Sequence, residues 1–176
     1  MVTNETVDEF YIGEDGKALI VPNGGYRNPF TMETLKYELD RKAGNLTMDQ
    51  LSGKMDSMDV FSFAITKVPK ALKMLCKEYD IDLDNIDKLV LHQANKLIID
   101  NIAKRMKMSM EKVPLGLRNY GNTTSASIPL AIVSECREIV TTSHQRILSC
   151  GFGTGLSWGC VYFETDSLVC PRIVEI

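Results

Sequence analysis

The chain holds two imidazoles, His92 and His144, in different settings. His92 closes the apolar run Ile86 to Leu91 and is followed by Gln93-Ala94-Asn95 and a helical pattern. This junction, the carboxyl end of a buried-type strand, is where α/β proteins place their sites. An imidazole at such a point serves either as a reactive donor or acceptor or, more plainly, as a structural hydrogen bonder. His144 stands among Thr141, Thr142, Ser143 and Gln145, a polar turn, and reads as solvated. Asn122 follows Gly121, where a carboxamide satisfies the free N–H groups of the next helical turn. Gly151-Phe152-Gly153-Thr154-Gly155 lacks the lysine and the following helix of a phosphate cradle. It reads as a tight turn whose backbone N–H groups can approach a ligand closely.

Five cysteines, Cys76, Cys136, Cys150, Cys160 and Cys170, form no Cys-x-x-Cys pair, and with two histidines no zinc-ligand spacing arises. No metal is expected. An odd number of thiols in apolar segments suits a reducing compartment, with free Cys packing as a small hydrophobe. Cys150 and Cys160 can still face each other across a hairpin.

The elements that must position these groups alternate. Glu9 to Ile12 and Ala18 to Val21 read as strands, with turns at Gly13 to Gly16 and Pro22 to Gly25. Residues 31–57 read as a covering loop. From Asp59 the spacing predicts a helix with Phe61, Ile65, Val68, Leu72, Leu75 and Tyr79 on one face and Lys67, Lys70, Lys73 and Lys77 on another, kinked at Pro69. Ile86 to Leu91 is a strand, and Ile98, Ile99, Ile102 and Met106 mark a second helix. Val113 to Leu117 is strand-like, and Ile128, Ile132, Val133, Ile139 and Val140 mark a third helix. Arg146 to Cys150 and Leu156 to Glu164 form a hairpin around the glycine-rich stretch. No repeat or linker divides the chain, so one domain is expected, an α/β one.

The net charge of -3 argues against nucleic acid as a partner. No apolar run approaches the roughly 20 residues of a membrane span. With the polar start Met1 to Glu5, the chain is expected to be cytoplasmic.

Taken together, His92-Gln93-Ala94-Asn95, Gly121-Asn122-Thr123-Thr124-Ser125-Ala126-Ser127-Ile128-Pro129 and Gly151-Phe152-Gly153-Thr154-Gly155-Leu156-Ser157-Trp158-Gly159 resemble, in order and spacing, the C-terminal half of β-ketoacyl-acyl carrier protein synthase III. The likeness reaches back through Met55 to Phe61 and weakly to the two early turns. It leaves out residues 31–52 and the tail after Thr165. The resemblance implies one half of a thiolase-like fold, a mixed sheet of five-stranded type with packed helices. It also implies decarboxylative condensation of an acyl primer with malonyl-acyl carrier protein.

On that resemblance His92 and Asn122 donate hydrogen bonds to the malonyl thioester oxygen and stabilise the enolate formed as CO2 leaves. The Thr154 N–H completes the oxyanion hole of the acyl-cysteine, and Phe152 gates the site. Asn95, Phe61 and Ser57 match positions lining the pantetheine tunnel, with Ser57 where relatives commonly have glycine. Lys96, Lys104 and Arg105 are candidates for docking the acidic carrier protein, although Leu97 replaces the family's usual arginine and a solvated face explains the same charges. The implied partners are acyl-CoA, malonyl-acyl carrier protein, the N-terminal half of the same enzyme and, at full length, a second copy. Phosphopantetheine arrives on the substrates, and no resident cofactor is implied.

The family's nucleophilic cysteine belongs to the other half, and none of the five thiols here stands at the start of a buried helix. The chain is therefore expected to be inactive alone and to lack the first strand of its half, leaving a sheet edge to be covered. Two other readings fit the residues: half of a polyketide or alkylquinolone synthase, and a non-catalytic binding module from a disrupted gene.

Overall fold

A computed structural model describes residues 18–21, 24–26, 28–34 and 54–174. The expected strand at Glu9 to Ile12, the turn at Gly13 to Gly16, Pro22-Asn23 and most of the 31–52 insertion lie outside the described residues.

The described residues gather into two compact units, one built from Phe61–Phe152 and the segment from Trp158, the other from residues up to Val60 with Gly153–Ser157. In the second unit β1 (Leu19–Ile20) pairs antiparallel with β2 (Lys54–Met55), Leu19 opposite Met55. The Asp56 carboxylate then accepts the Met58 and Asp59 N–H groups, both at 3.0 Å, and so caps helix α1 (Ser57–Glu78). The helix thus opens at the last residues of the expected loop, and it runs through Pro69 without ending.

The first unit holds the sheet. β3 (Lys88–Leu91) lies parallel to β4 (Gln145–Gly153), with Leu89 opposite Leu148 and Leu91 opposite Cys150. β5 (Ser157–Thr165) is β4's other neighbour. Three intervening residues are too few for a parallel crossover, so β4 and β5 form the expected hairpin. Among the described residues the sheet has three strands, in the order β3-β4-β5.

Period-two alternation sends its side chains into two cores. Leu89, Leu91, Leu148, Cys150 and Phe152 face α1 and the helix α2 (Lys96–Arg105), packing on Val68, Leu72, Leu75, Ile99 and Ile102. Val90 and Ile147 face the opposite way, onto Ala131, Cys136, Val140 and the tail residue Cys170. Burial on both faces is why β3 reads as a continuous apolar run rather than an alternating one.

Four expectations are corrected. Val113 to Leu117 is not a strand. A 3-10 turn (Met110–Lys112) and an irregular stretch lead into the short helix α3 (Leu117–Tyr120). Pro114 has no N–H to give a ladder, and the Gln93 side chain takes the place of a partner strand, its Oε1 accepting the Gly116 N–H at 3.0 Å.

The helix around Ile128 to Val140 is interrupted. α4 (Ser127–Ala131) passes through a π-turn (Ile132–Cys136) into α5 (Arg137–Thr142). The extra residue of a π-turn rotates the face, so Ala131, Cys136 and Val140 are buried while Ile139 is exposed. Tyr79 likewise falls just past the end of α1 and is exposed.

The glycine-rich stretch, finally, is mostly strand: Gly151, Phe152 and Gly153 belong to β4. The turn itself is tight at Gly155, whose φ of 139° and whose approach to Ser157 N, 2.9 Å from an added Cβ, exclude any other residue without a shift.

Candidate active site

His92 is the first residue beyond β3. Its N–H donates to the Cys150 carbonyl at 3.0 Å, so the parallel ladder extends one residue past the strand and fixes the backbone from which the ring projects. The ring meets Phe152 edge-on, centroids 5.2 Å apart at 88°, a favourable quadrupolar arrangement for two rings. Nδ1 lies 2.6 Å from the Ser127 hydroxyl oxygen. Burial pulls the His92 pKa below its usual 6.5, against a smaller upward pull from the nearby Thr124 main chain. At neutral pH the ring is uncharged.

The following residues build the support. Gln93, 2% exposed, donates to the Leu91 carbonyl at 2.8 Å and more weakly to the Pro114 carbonyl at 3.4 Å. With the Gly116 bond, this ties the end of β3 to the stretch that leads into α3. Asn95 caps α2, its Oδ1 accepting the Ile98 N–H at 2.8 Å.

Asn122 is exposed and is held from within its own turn: its Oδ1 accepts the Thr124 N–H at 2.9 Å. The expected capping role is thus played by a turn two residues long, which leaves the Asn122 NH2 group pointing its hydrogens elsewhere. Gly121 ends α3 at a φ of 64° and redirects the chain into this turn.

Thr124 also has a positive φ of 52°. A β-branched residue rarely adopts that conformation, and backbone strain of this kind concentrates at functional sites. Its N–H donates to Asn122 Oδ1, and three residues on Ser127 meets the His92 ring. The two side chains that the sequence singled out, thirty positions apart, are therefore tied to one short segment, Asn122 through Thr124 and His92 through Ser127.

The remaining predicted residues fall into groups. Phe61 is half-buried against the α1–α2 core. Ser57 and Thr154 belong to the second unit, where both are exposed and the Thr154 carbonyl accepts the Ser157 hydroxyl at 2.7 Å. Lys96 is engaged by Asp100 at 2.6 Å, an i,i+4 surface pair. Lys104 and Arg105 close α2, where the helix dipole favours positive charge. Arg105 also lines a groove of about 410 Å³ with Thr66, Lys70, Lys73, Met74 and Lys77. Three of the four lysines that the helical period placed on one face of α1, Lys70, Lys73 and Lys77, thus form one wall of a basic groove. Sequence reasoning missed Gln93, Thr124 and Ser127. All three lie inside quoted motifs, but nothing local marks what they touch.

None of the five cysteines is placed as an activated nucleophile. All are free thiols. Burial pushes the Cys76 thiol up to about 11 and raises Cys136 as well, the opposite of what a reactive thiolate requires. Cys150 and Cys160 do face each other across the hairpin, Sγ to Sγ 3.1 Å, and the hydrogen bond from Cys160 with burial holds the Cys150 thiol well above its ordinary range. Among the described residues no helix is long and apolar enough to cross a membrane.

The profile of the family "3-Oxoacyl-[acyl-carrier-protein (ACP)] synthase III C terminal" matches residues 76–165, just over half of the chain. A "Beta-ketoacyl-[acyl-carrier-protein] synthase III" of Trichodesmium erythraeum is 46% identical over 110 residues, 62% of this chain and 33% of that protein. The enzyme of the same description from Streptococcus mutans is 38% identical over 151 residues, 84% of this chain and 42% of that protein. The crystal structure of a 3-oxoacyl-(acyl-carrier protein) synthase from Burkholderia xenovorans superimposes with a TM-score of 0.78 at 30% identity, covering 93% of this chain and 45% of that one. The fold is accordingly thiolase-like, as the motifs implied. The chain spans less than half the length of these relatives.

Proposed function

The chain belongs to the 3-oxoacyl-[acyl-carrier-protein] synthase III C-terminal family, and from that premise we propose that it supplies the enolate-stabilising machinery of a decarboxylating condensation between an acyl thioester and malonyl-acyl carrier protein in fatty acid synthesis. The observation that carries this reading is the shared anchor. The His92 Nδ1 lies 2.6 Å from the hydroxyl of Ser127, which belongs to the same segment as Asn122, whose Oδ1 accepts the Thr124 N–H, so one stretch of chain carries the carboxamide and meets the neutral imidazole.

When a malonyl thioester loses CO2, the departing bond's electrons pass onto the thioester, and negative charge gathers on its carbonyl oxygen. Two fixed N–H dipoles, one from the Asn122 Nδ2 and one from the His92 ring, stabilise that charge without ionising. Each such donor lowers the barrier by about 2.7–4 kcal/mol. The Phe152 ring beside His92 disfavours a charged carboxylate relative to neutral CO2.

The acyl group is carried by a cysteine outside the five described, and the Thr154 N–H serves its oxyanion. Asn95, whose Oδ1 is spent on the α2 cap, keeps its NH2 group for the pantetheine arm, and Phe61 and Ser57 are two further candidate contacts for it. The carrier protein's acidic surface docks on Lys104 and Arg105, with Lys96 at the margin and the basic groove beside Arg105 adding field. The working enzyme is a cytoplasmic homodimer that uses no resident cofactor.

Exchange into a relative tests the reading. The Burkholderia enzyme, with its matching segment replaced by this chain, is expected to decarboxylate malonyl-acyl carrier protein. His92→Ala and Asn122→Ala are expected to lower that rate by about 10²–10³-fold each. Full activity in both variants would overturn the assignment. Separately, intact mass after incubation of the chain with acyl-CoA is expected to show no stable adduct, and an acylated chain would place the nucleophile within it.

A further inference from the structure

We infer that Ser127 is a positioning residue that fixes the tautomer of His92, holding the ring hydrogen on Nε2 so that the imidazole presents a donor to the reacting thioester. Ser127 opens α4, 35 positions from His92 in sequence, and is 2% exposed. Its backbone N–H is occupied by the Thr124 carbonyl, and its hydroxyl oxygen lies 2.6 Å from His92 Nδ1. Among the described residues the hydroxyl has no other hydrogen-bond partner.

A hydroxyl brings one hydrogen and two lone pairs to such a contact, and a neutral imidazole has one N–H and one bare nitrogen. Two arrangements follow. If Nδ1–H donates to Ser127, the hydrogen of a serine that is 2% exposed is left without an acceptor, and the ring turns a bare Nε2 outward. If Ser127 donates to Nδ1, the hydroxyl hydrogen is satisfied and the ring hydrogen stays on Nε2. Buried polar hydrogens are almost always paired, so the second arrangement wins.

The position also explains why the serine is held so firmly. The 3-10 turn Thr124–Ala126 delivers Ser127 to the first residue of α4, and the next residue, Ile128, packs with Ala131 and Val140 in the core on that side of the sheet. The hydroxyl is therefore carried by a packed helix start, while the ring is carried by the strand ladder through Cys150.

This inference rests on reading His92 as a donor to the thioester, but the tautomer is measurable without substrate, so the two fail separately. The experiment is a long-range ¹H–¹⁵N correlation on the chain labelled at histidine, at pH 7.5. With two histidines present, His144→Gln identifies the signals. His92 is expected as a single Nε2–H tautomer in the native chain, as a mixture with Nδ1–H in Ser127→Ala, and again as one tautomer in Ser127→Thr, with His144 unchanged throughout. A native spectrum showing Nδ1–H or a mixture overturns the proposal without recourse to any variant, and so does an unchanged tautomer in Ser127→Ala.

Discussion

His92 and Asn122 are held in opposite ways. The imidazole is fixed by two distant pieces of chain: β4, through the Cys150 carbonyl on its backbone and the Phe152 ring edge-on to its own, and the start of α4, through the Ser127 hydroxyl at Nδ1. It is also half-buried, and burial keeps it neutral. The carboxamide is exposed and is oriented by its own main chain two residues on. The two proposed donors thus depend on tertiary structure to different degrees. Anything that loosens the sheet should misplace the histidine first, whereas the asparagine should keep its orientation for as long as the turn after Gly121 survives.

The largest test of that contrast is kinetic. In the Burkholderia exchange, His92→Ala and Asn122→Ala should each cost about 2.7–4 kcal/mol of barrier. If the loss in the double variant is much smaller than the product of the two single losses, the donors act as one unit.

Next in size is Gln93→Ala, which leaves the Gly116 N–H unsatisfied at a buried position. Thermal unfolding should show a loss of about 1–3 kcal/mol. A change below that range would mean that water replaces the amide and that the β3 end does not depend on it.

A smaller effect is expected at Thr124. Glycine relieves the positive φ but adds unfolded-state freedom, so stability should change by no more than about 1 kcal/mol. The Asn122 turn should persist, because the Thr124 N–H is a backbone group. A collapse in activity with unchanged stability would show that the threonine side chain itself has a role.

The smallest effect is the pH dependence of stability. The folded His92 pKa lies below 6.5, so the unfolded chain takes up its proton first as pH falls. The contribution of neutral His92 is full above 6.5 and declines below it, with a slope of no more than one proton. His92→Gln should remove that slope from pH-dependent unfolding curves, while His144→Gln should leave it in place. The reverse result would mean that His92 is not the desolvated ring.

Much of the first unit was legible. The run Leu89-Val90-Leu91 is apolar because both faces of β3 are covered, and the 3.6-residue spacing from Val68 to Leu75 and from Ile98 to Met106 matches the buried faces of α1 and α2. What misled was local. The β-formers of Val113 to Leu117 suggested a strand where a glutamine side chain satisfies the backbone instead, and a regular helical period was extended through Ile139, past a π-turn that no single residue announces.

The sequence by itself determined the alternation of strand and helix, the placing of an imidazole where a buried strand ends, and the family motif that relates His92, Asn122 and Phe152. These depend on neighbours within a few residues and on burial, both of which are written in residue type and spacing. Only the tertiary structure decided that Ser127 meets Nδ1, that Gln93 braces the stretch before α3, and that Thr124 takes a positive φ with its N–H on Asn122. Those contacts join residues 23 to 35 positions apart, or turn on a single left-handed φ. They exist because strand register and helix packing bring particular atoms within hydrogen-bond distance, and spacing along the chain carries no record of that.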